Sequence, residues 1–121
     1  MLNREQKAVH ALFAELRRSP LQEFPRARKP LKAPNKQGVY IIYDPRNRAV
    51  HVGATPSGAG GIRKRLANHL HNASAFSVLF LKGGAKLRCG YKYRCLIVPN
   101  RRRRALVKAY AIGYLCPTHP W

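Results

Sequence analysis

Apolar positions recur with a helical period at the start of the chain. Val9, Leu12, Phe13 and Leu16 fall at i, i+3, i+4 and i+7, which predicts a helix over residues 3–18, with Asn3 as its cap and Pro20 as its stop. Gly38 to Asp44 and Ala49 to Ala54 are rich in Val, Ile and Tyr and flank Pro45-Arg46-Asn47-Arg48. Proline presets φ in such a turn and Asn accepts a left-handed backbone, so the pair reads as a β-hairpin with Asp44 accepting turn N–H groups. Helical periodicity returns over about residues 61–73, where Ile62, Leu66, Leu70 and Ala73 form the buried stripe and Arg65, Asn68, His69 and Asn72 lie on another face. The apolar run AFSVLFLK at 75–82 is ambiguous between strand and buried loop, Gly83-Gly84 reads as a turn, and Leu87 to Val98 reads as a strand region closed by Pro99. A last helix is predicted over about 100–115, capped by Asn100, with Arg101, Arg104 and Lys108 on one basic stripe. Helices packed on a small sheet of three or more strands make an α+β fold.

Between the first helix and the hairpin, residues 19–37 hold Pro20, Pro25, Pro30 and Pro34 among Arg26, Arg28, Lys29, Lys32 and Lys36. Prolines at that density exclude helix and sheet interior. The segment reads as an extended basic arm, expected to be disordered alone and to order along a polyanion. Pro56 to Gly61 is a flexible loop without the G-x-x-x-x-G-K-[ST] pattern of a phosphate-binding P-loop.

Charge changes the picture most. Across 121 residues, 24 Lys and Arg face 4 Asp and Glu, for a net charge of +20, and no carboxylate side chain follows Asp44. Solubility needs only about 2–8 net charges on a small domain. An excess of this size repels itself unless a polyanion compensates it, and nucleic acid is the favoured one. The expected contacts are the five arm cations, Arg63, Lys64 and Arg65 on the second helix, and Arg101, Arg102, Arg103, Arg104 and Lys108 on the last. The 45 % hydrophobic content excludes a disordered chain, and the length suits one modest core. An odd count of three cysteines argues for the cytoplasm or another reducing compartment. No apolar run reaches the roughly 20 residues of a membrane span, and Glu5 and Glu15 interrupt any signal-peptide core, so a membrane partner is not expected.

Gly38-Val39-Tyr40 followed by His51-Val52-Gly53 resembles the paired signatures of the GIY-YIG nuclease family. The helix GIRKRLANHL is similar to that family's next element, an Arg with a His four residues on, and ALVKAYAIGYLCP resembles its C-terminal helix. The resemblance implies a three-stranded antiparallel sheet flanked by helices over 38–121, preceded at 1–37 by the extra helix and arm. It also implies roles. Two tyrosines flank the scissile phosphate and water, Arg stabilises phosphoryl charge, His assists proton transfer, Glu on the last helix holds a divalent metal, and an Asn beyond supports the site. Tyr40, Arg65 and His69 match that pattern. His51 stands where the second Tyr belongs, Lys108 where the Glu belongs, and Pro120 near the place of the Asn.

The Glu position decides the expected chemistry. A divalent ion needs hard, usually anionic oxygen ligands, whereas Lys repels it and instead binds phosphate as a point charge. The resemblance therefore implies a degenerate site, Tyr40, His51, Arg65 and His69 with Lys108, that binds structured RNA or DNA without metal or other cofactor. A ribosome-like ribonucleoprotein particle is one such setting. The alternative is an active endonuclease of atypical composition using Mg²⁺ or Mn²⁺. Cys89, Cys95, Cys116 and His119 are zinc ligands by type but not by spacing. Tyrosines on an exposed sheet face are candidates for base stacking.

Overall fold

The computed structural model describes residues 1–119. Helix α1 spans Arg4–Arg18. Its start is a reciprocal cap: the Asn3 side chain accepts from the Gln6 N–H at 2.8 Å, and the Gln6 side chain accepts from the Asn3 N–H at 2.8 Å. Its last turn closes on Ser19, whose hydroxyl donates to the Leu16 carbonyl at 2.7 Å.

Strands β1 (Gln22–Glu23), β2 (Gly38–Tyr43), β3 (Ala49–Ala54) and β4 (Lys92–Ile97) form one antiparallel sheet in the order β1-β4-β2-β3. The sheet thus has four strands rather than the three the resemblance implies. The extra edge strand comes from the arm, where Gln22 and Glu23 pair with Tyr93 and Lys92. The hairpin between β2 and β3 turns on Asp44, whose carboxylate accepts from the N–H groups of Arg46 (2.9 Å) and Arg48 (3.0 Å), with Asn47 at φ 61°.

Central strand β2 is buried on both faces. Val39, Ile41 and Tyr43 pack with Val9, Phe13 and Leu16 of α1 and with Val107 and Ala111 of α3 (Arg101–Leu115). Tyr40 and Ile42 point the other way, against Ile62, Leu66 and Leu70 of α2 (Gly61–Leu70) and against Phe76, Leu81 and Leu87. The result is helices on both sides of the sheet, with two cores divided by it.

The arm is not a loose tail. Phe24 is buried, with its ring 5.1 Å from that of Tyr93, and Ala33 is buried as well. The arm's carbonyls are also used: Pro25 accepts from Arg88 at 2.9 Å, Ala33 from the Arg63 side chain at 2.7 Å, and Lys36 from the Ile62 N–H at 2.9 Å. Apolar residues spaced among the prolines thus bury enough to hold the segment against the body, correcting the expectation of disorder. Its cations Arg26, Arg28, Lys29, Lys32 and Lys36 remain exposed.

The run after α2 is neither strand nor loop. Phe76–Leu81 winds as a π-helical turn and Gly84–Arg88 as a 3₁₀ turn, which shortens the strand predicted from Leu87 to Lys92–Ile97. A π turn brings residues five apart onto one side, and Phe76 and Leu81 are the buried pair. Helix α2 stops at Leu70, three residues short of the expected end, because Asn72 takes a left-handed backbone at φ 62°. Among the described residues, no helix is long and apolar enough to cross a membrane.

Candidate functional site

The side chains of interest reach the site from β2, β3, α2 and α3. Tyr40 on β2 stands opposite Gly53 on β3, and Ile42 stands opposite His51, so Tyr40, Gly53 and His51 share the α2 face of the sheet. On α2, Arg65 and His69 are one turn apart. Lys108 comes from α3. Together with Ser74 and Phe76, these residues line one pocket of about 170 Å³. Gly53 is required there, since a Cβ would collide with the Tyr40 ring and hydroxyl. Beyond α3 the chain returns along the β3 edge, where the His119 N–H donates to the Val50 carbonyl at 2.8 Å and the His119 ring sits 5.2 Å from that of His51.

Hydrogen bonds tie the pocket floor together. The Tyr40 hydroxyl and His69 Nε2 are 2.7 Å apart, His69 Nδ1 and Ser74 Oγ are 2.6 Å apart, and Ser74 Oγ and Ser77 Oγ are 3.0 Å apart. The network is satisfied when Tyr40 donates to Nε2, Nδ1–H donates to Ser74, and Ser74 donates to Ser77, whose own hydrogen goes to the Ser74 carbonyl. That arrangement takes His69 as neutral.

Electrostatics agree with it. Burial, with help from His51 and Arg65, pushes the His69 imidazole down to about 3. Burial and then the neighbouring His119, Lys108 and Arg65 push His51 down to about 4, although the His119 backbone opposes the fall. Burial raises the Tyr40 hydroxyl to about 12 against the pull of Arg65. At neutral pH the two histidines and the tyrosine carry no charge. Among the described residues, the charge of the pocket is therefore that of Arg65 and Lys108, and no carboxylate side chain lines it. Arg65 Nε and His51 Nδ1 are buried without a hydrogen-bond partner.

This donor set does not fit a divalent metal. Mg²⁺ and Mn²⁺ seek carboxylate, carbonyl and water oxygens, and two cations facing the same space oppose their entry. Among the described residues, no group of three His, Cys, Asp or Glu side chains is placed to hold a metal ion. Cys89, Cys95, Cys116 and His119 are not gathered into a zinc site, and Cys89 and Cys116 are exposed.

The expected basic stripe on α3 needs correction. Arg104 is buried, and its guanidinium donates to the carbonyls of Thr55 (3.1 Å), Val98 (3.1 Å) and Pro99 (2.7 Å). Arg104 is a structural clamp that ties α3 to the ends of β3 and β4, not a surface contact. Arg102 makes a two-pronged pair with Glu5 at 2.8 and 2.9 Å, joining α3 to α1, and Arg103 lies 3.9 Å from the same carboxylate. Arg101, Arg63 and Lys64 are exposed.

Gly53 stands in the second motif, which gives it no role of its own, and Ser74 and Phe76 escape sequence reasoning altogether. The glycine's purpose is visible only once the strand register is known. Ser74 and Phe76 belong to a stretch with no helical or strand period. Pro120, set beside the site by resemblance, lies outside the described residues. No family model matches the chain, and no curated protein matches it.

Proposed function

We propose that the protein binds nucleic acid, RNA or DNA, by seating a backbone phosphate between Arg65 and Lys108, and that it does so without cleaving the strand. The observation that carries this reading is the pocket itself: two cations and uncharged hydroxyl and imidazole groups converge on it, and no carboxylate side chain lines it among the described residues. Arg65 supplies a planar fork and Lys108 a point charge, the two usual ways of holding phosphate oxygens. Tyr40, protonated at neutral pH, adds a neutral hydroxyl. The surrounding excess of cations, including those exposed along the arm, extends the attraction beyond the pocket. The layout supports kinship with the GIY-YIG nucleases in a degenerate form, with Lys108 at the metal-binding position. A structured RNA, as in a ribosome-like particle, suits a compact basic surface of this kind.

One observation favours a second reading, an active endonuclease. The Tyr40–His69–Ser74–Ser77 chain is a hydrogen-bonded path by which a proton can move away from a reacting oxygen. Incubating purified protein with labelled RNA hairpins and plasmid DNA, with and without Mg²⁺ or Mn²⁺, separates the two. Binding with intact strands is expected. Cleavage by the unmodified chain that is lost in Arg65→Ala would establish the nuclease, and failure to bind either polymer would overturn both readings.

A further inference from the structure

A larger cavity, of about 640 Å³, lies where the ends of α1 and α3 meet β3 and β4. Arg17 of α1, Arg94 of β4 and Arg48 beside the hairpin turn line it, and no carboxylate side chain does among the described residues. Arg48 is answered by Asp44 at 2.8 Å. Arg17 and Arg94 have no carboxylate within ion-pair reach among the described residues, since the ion pairs there go to Asp44 or Glu5. Both guanidinium groups are nevertheless held in place. Arg94 Nε donates to the Ser19 carbonyl at 2.9 Å and Nη1 to the Tyr43 hydroxyl at 3.4 Å, and the group lies 5.4 Å from the centre of the Tyr43 ring. The Arg17 guanidinium lies 5.2 Å from the centre of the Tyr114 ring and 5.7 Å from that of Phe13. Aromatic faces attract a cation at such distances. Two further polar side chains of the wall are set to donate. Tyr43 accepts from Arg94, which leaves its own O–H to give, and Asn47 Oδ1 accepts from Lys92 Nζ at 3.0 Å, which makes the other end of that amide the NH₂.

Resting on the nucleic-acid reading above, we infer that this cavity is a second phosphate site, a contact for the backbone of the bound RNA or DNA that is separate from Arg65 and Lys108. Unprotonated phosphate oxygens only accept, so a wall of donors with two guanidinium groups lacking a carboxylate partner is their complement. A cation in the last turn of α1 also suits the helix dipole, but Arg18 fills that role as well, and it does not call for Arg94 in the same cavity. The two sites are distinct. Arg94 stands opposite Ile41, on the α1 side of the sheet, whereas Tyr40 of the first pocket faces α2. Along β3, Ala49 lines one cavity and Gly53 the other, about 13 Å apart on an extended strand. One phosphate group is too small to serve both, so each site contributes separately to binding.

The test measures binding of one RNA hairpin against salt for the unmodified chain, Arg17→Ala, Arg17→Glu, and Arg17→Ala with Arg94→Ala, each below its own thermal transition. The double variant should lower the slope of log affinity against log salt by about 1, the share of one phosphate. Combined with Arg65→Ala and Lys108→Ala, it should bring the total loss to about 2, because separated contacts act independently. Arg17→Glu places a carboxylate in the cavity and should weaken binding by about tenfold at low salt, the size of one charge-assisted contact, and by more than Arg17→Ala. The two Arg17 variants decide the matter even where Arg94→Ala fails to fold. Slope and affinity unchanged in them, whether or not the thermal transition falls, overturn the second site, make both arginines structural, and leave Arg65 and Lys108 standing. A loss that vanishes once Arg65 and Lys108 are replaced also overturns it, since both pairs then report one contact. Adenosine monophosphate, titrated by calorimetry, is the arm for a small phosphate ligand: binding of it that Arg17→Glu abolishes, with hairpin binding unchanged, overturns the assignment to nucleic acid. No hairpin binding by the unmodified chain overturns the nucleic-acid reading and this site together.

Discussion

Acidification should loosen this fold well before its carboxylates titrate. His51 and His69 are 4 % and 1 % exposed, and their imidazoles are pushed from an ordinary 6.5 to about 4 and about 3. The unfolded chain takes up protons that the fold refuses, so the contribution of both groups is complete above about pH 6.5 and is lost as the pH falls toward their folded values. Between pH 7.5 and pH 5 each histidine removes about 2 kcal/mol, or about 4 kcal/mol together. That is a large share of the roughly 5–15 kcal/mol by which small domains are stable. The window lies above the usual range of Asp and Glu, so the four carboxylates contribute little to the slope. Urea unfolding followed by circular dichroism at half-unit pH intervals measures it directly. In His69→Gln the fold is weaker at every pH, but the slope over this window should fall to about half. Stability flat from pH 7.5 to pH 5, or a slope unchanged in His69→Gln, would refute the assignment of these histidines as buried and neutral.

Arg104→Met should lower unfolding stability by about 3–5 kcal/mol, because three carbonyls lose a charged donor. Oligonucleotide affinity should stay within about twofold below the unfolding temperature; intact stability with lost binding would return Arg104 to the surface stripe. Phe24→Ala should lower stability by about 3 kcal/mol by emptying the contact with Tyr93, and an unchanged urea midpoint would make the arm a loose tail after all.

What could be read in the sequence follows local chemistry. Asn3 and Pro20 bracket α1, Asn100 caps α3 by accepting from the Arg103 N–H, and Asp44 with Asn47 makes the hairpin turn, because each acts within a few residues of itself. The pocket residues Tyr40, His51, Arg65, His69 and Lys108 were singled out by motif order, and the fold brings them to one cavity. What could not be read depends on distant partners. Two residues, Gln22 and Glu23, are too short a run to signal a strand, and they pair only because β4 leaves an open edge. The Phe76–Leu81 run gives no period that separates a π turn from a strand. Arg104 shares helical spacing with exposed arginines, and only the carbonyls of Thr55, Val98 and Pro99, brought in by the ends of β3 and β4, make it a buried clamp.

On the proposed function, Arg65 and Lys108 together hold a nucleic-acid phosphate. That reading is tested most directly by the salt dependence of binding to one RNA hairpin, measured from about 50 to 200 mM salt, a range over which several phosphate contacts change affinity by orders of magnitude. Removing one phosphate contact should lower the slope of log affinity against log salt by about 1. Because both cations hold one phosphate, Arg65→Ala with Lys108→Ala is expected to show that full loss of about 1 and Lys108→Ala alone no more than that, with the same weakening on hairpins of unrelated sequence. An unchanged slope and affinity in the double variant would contradict the account and place the nucleic-acid contacts elsewhere on this basic surface.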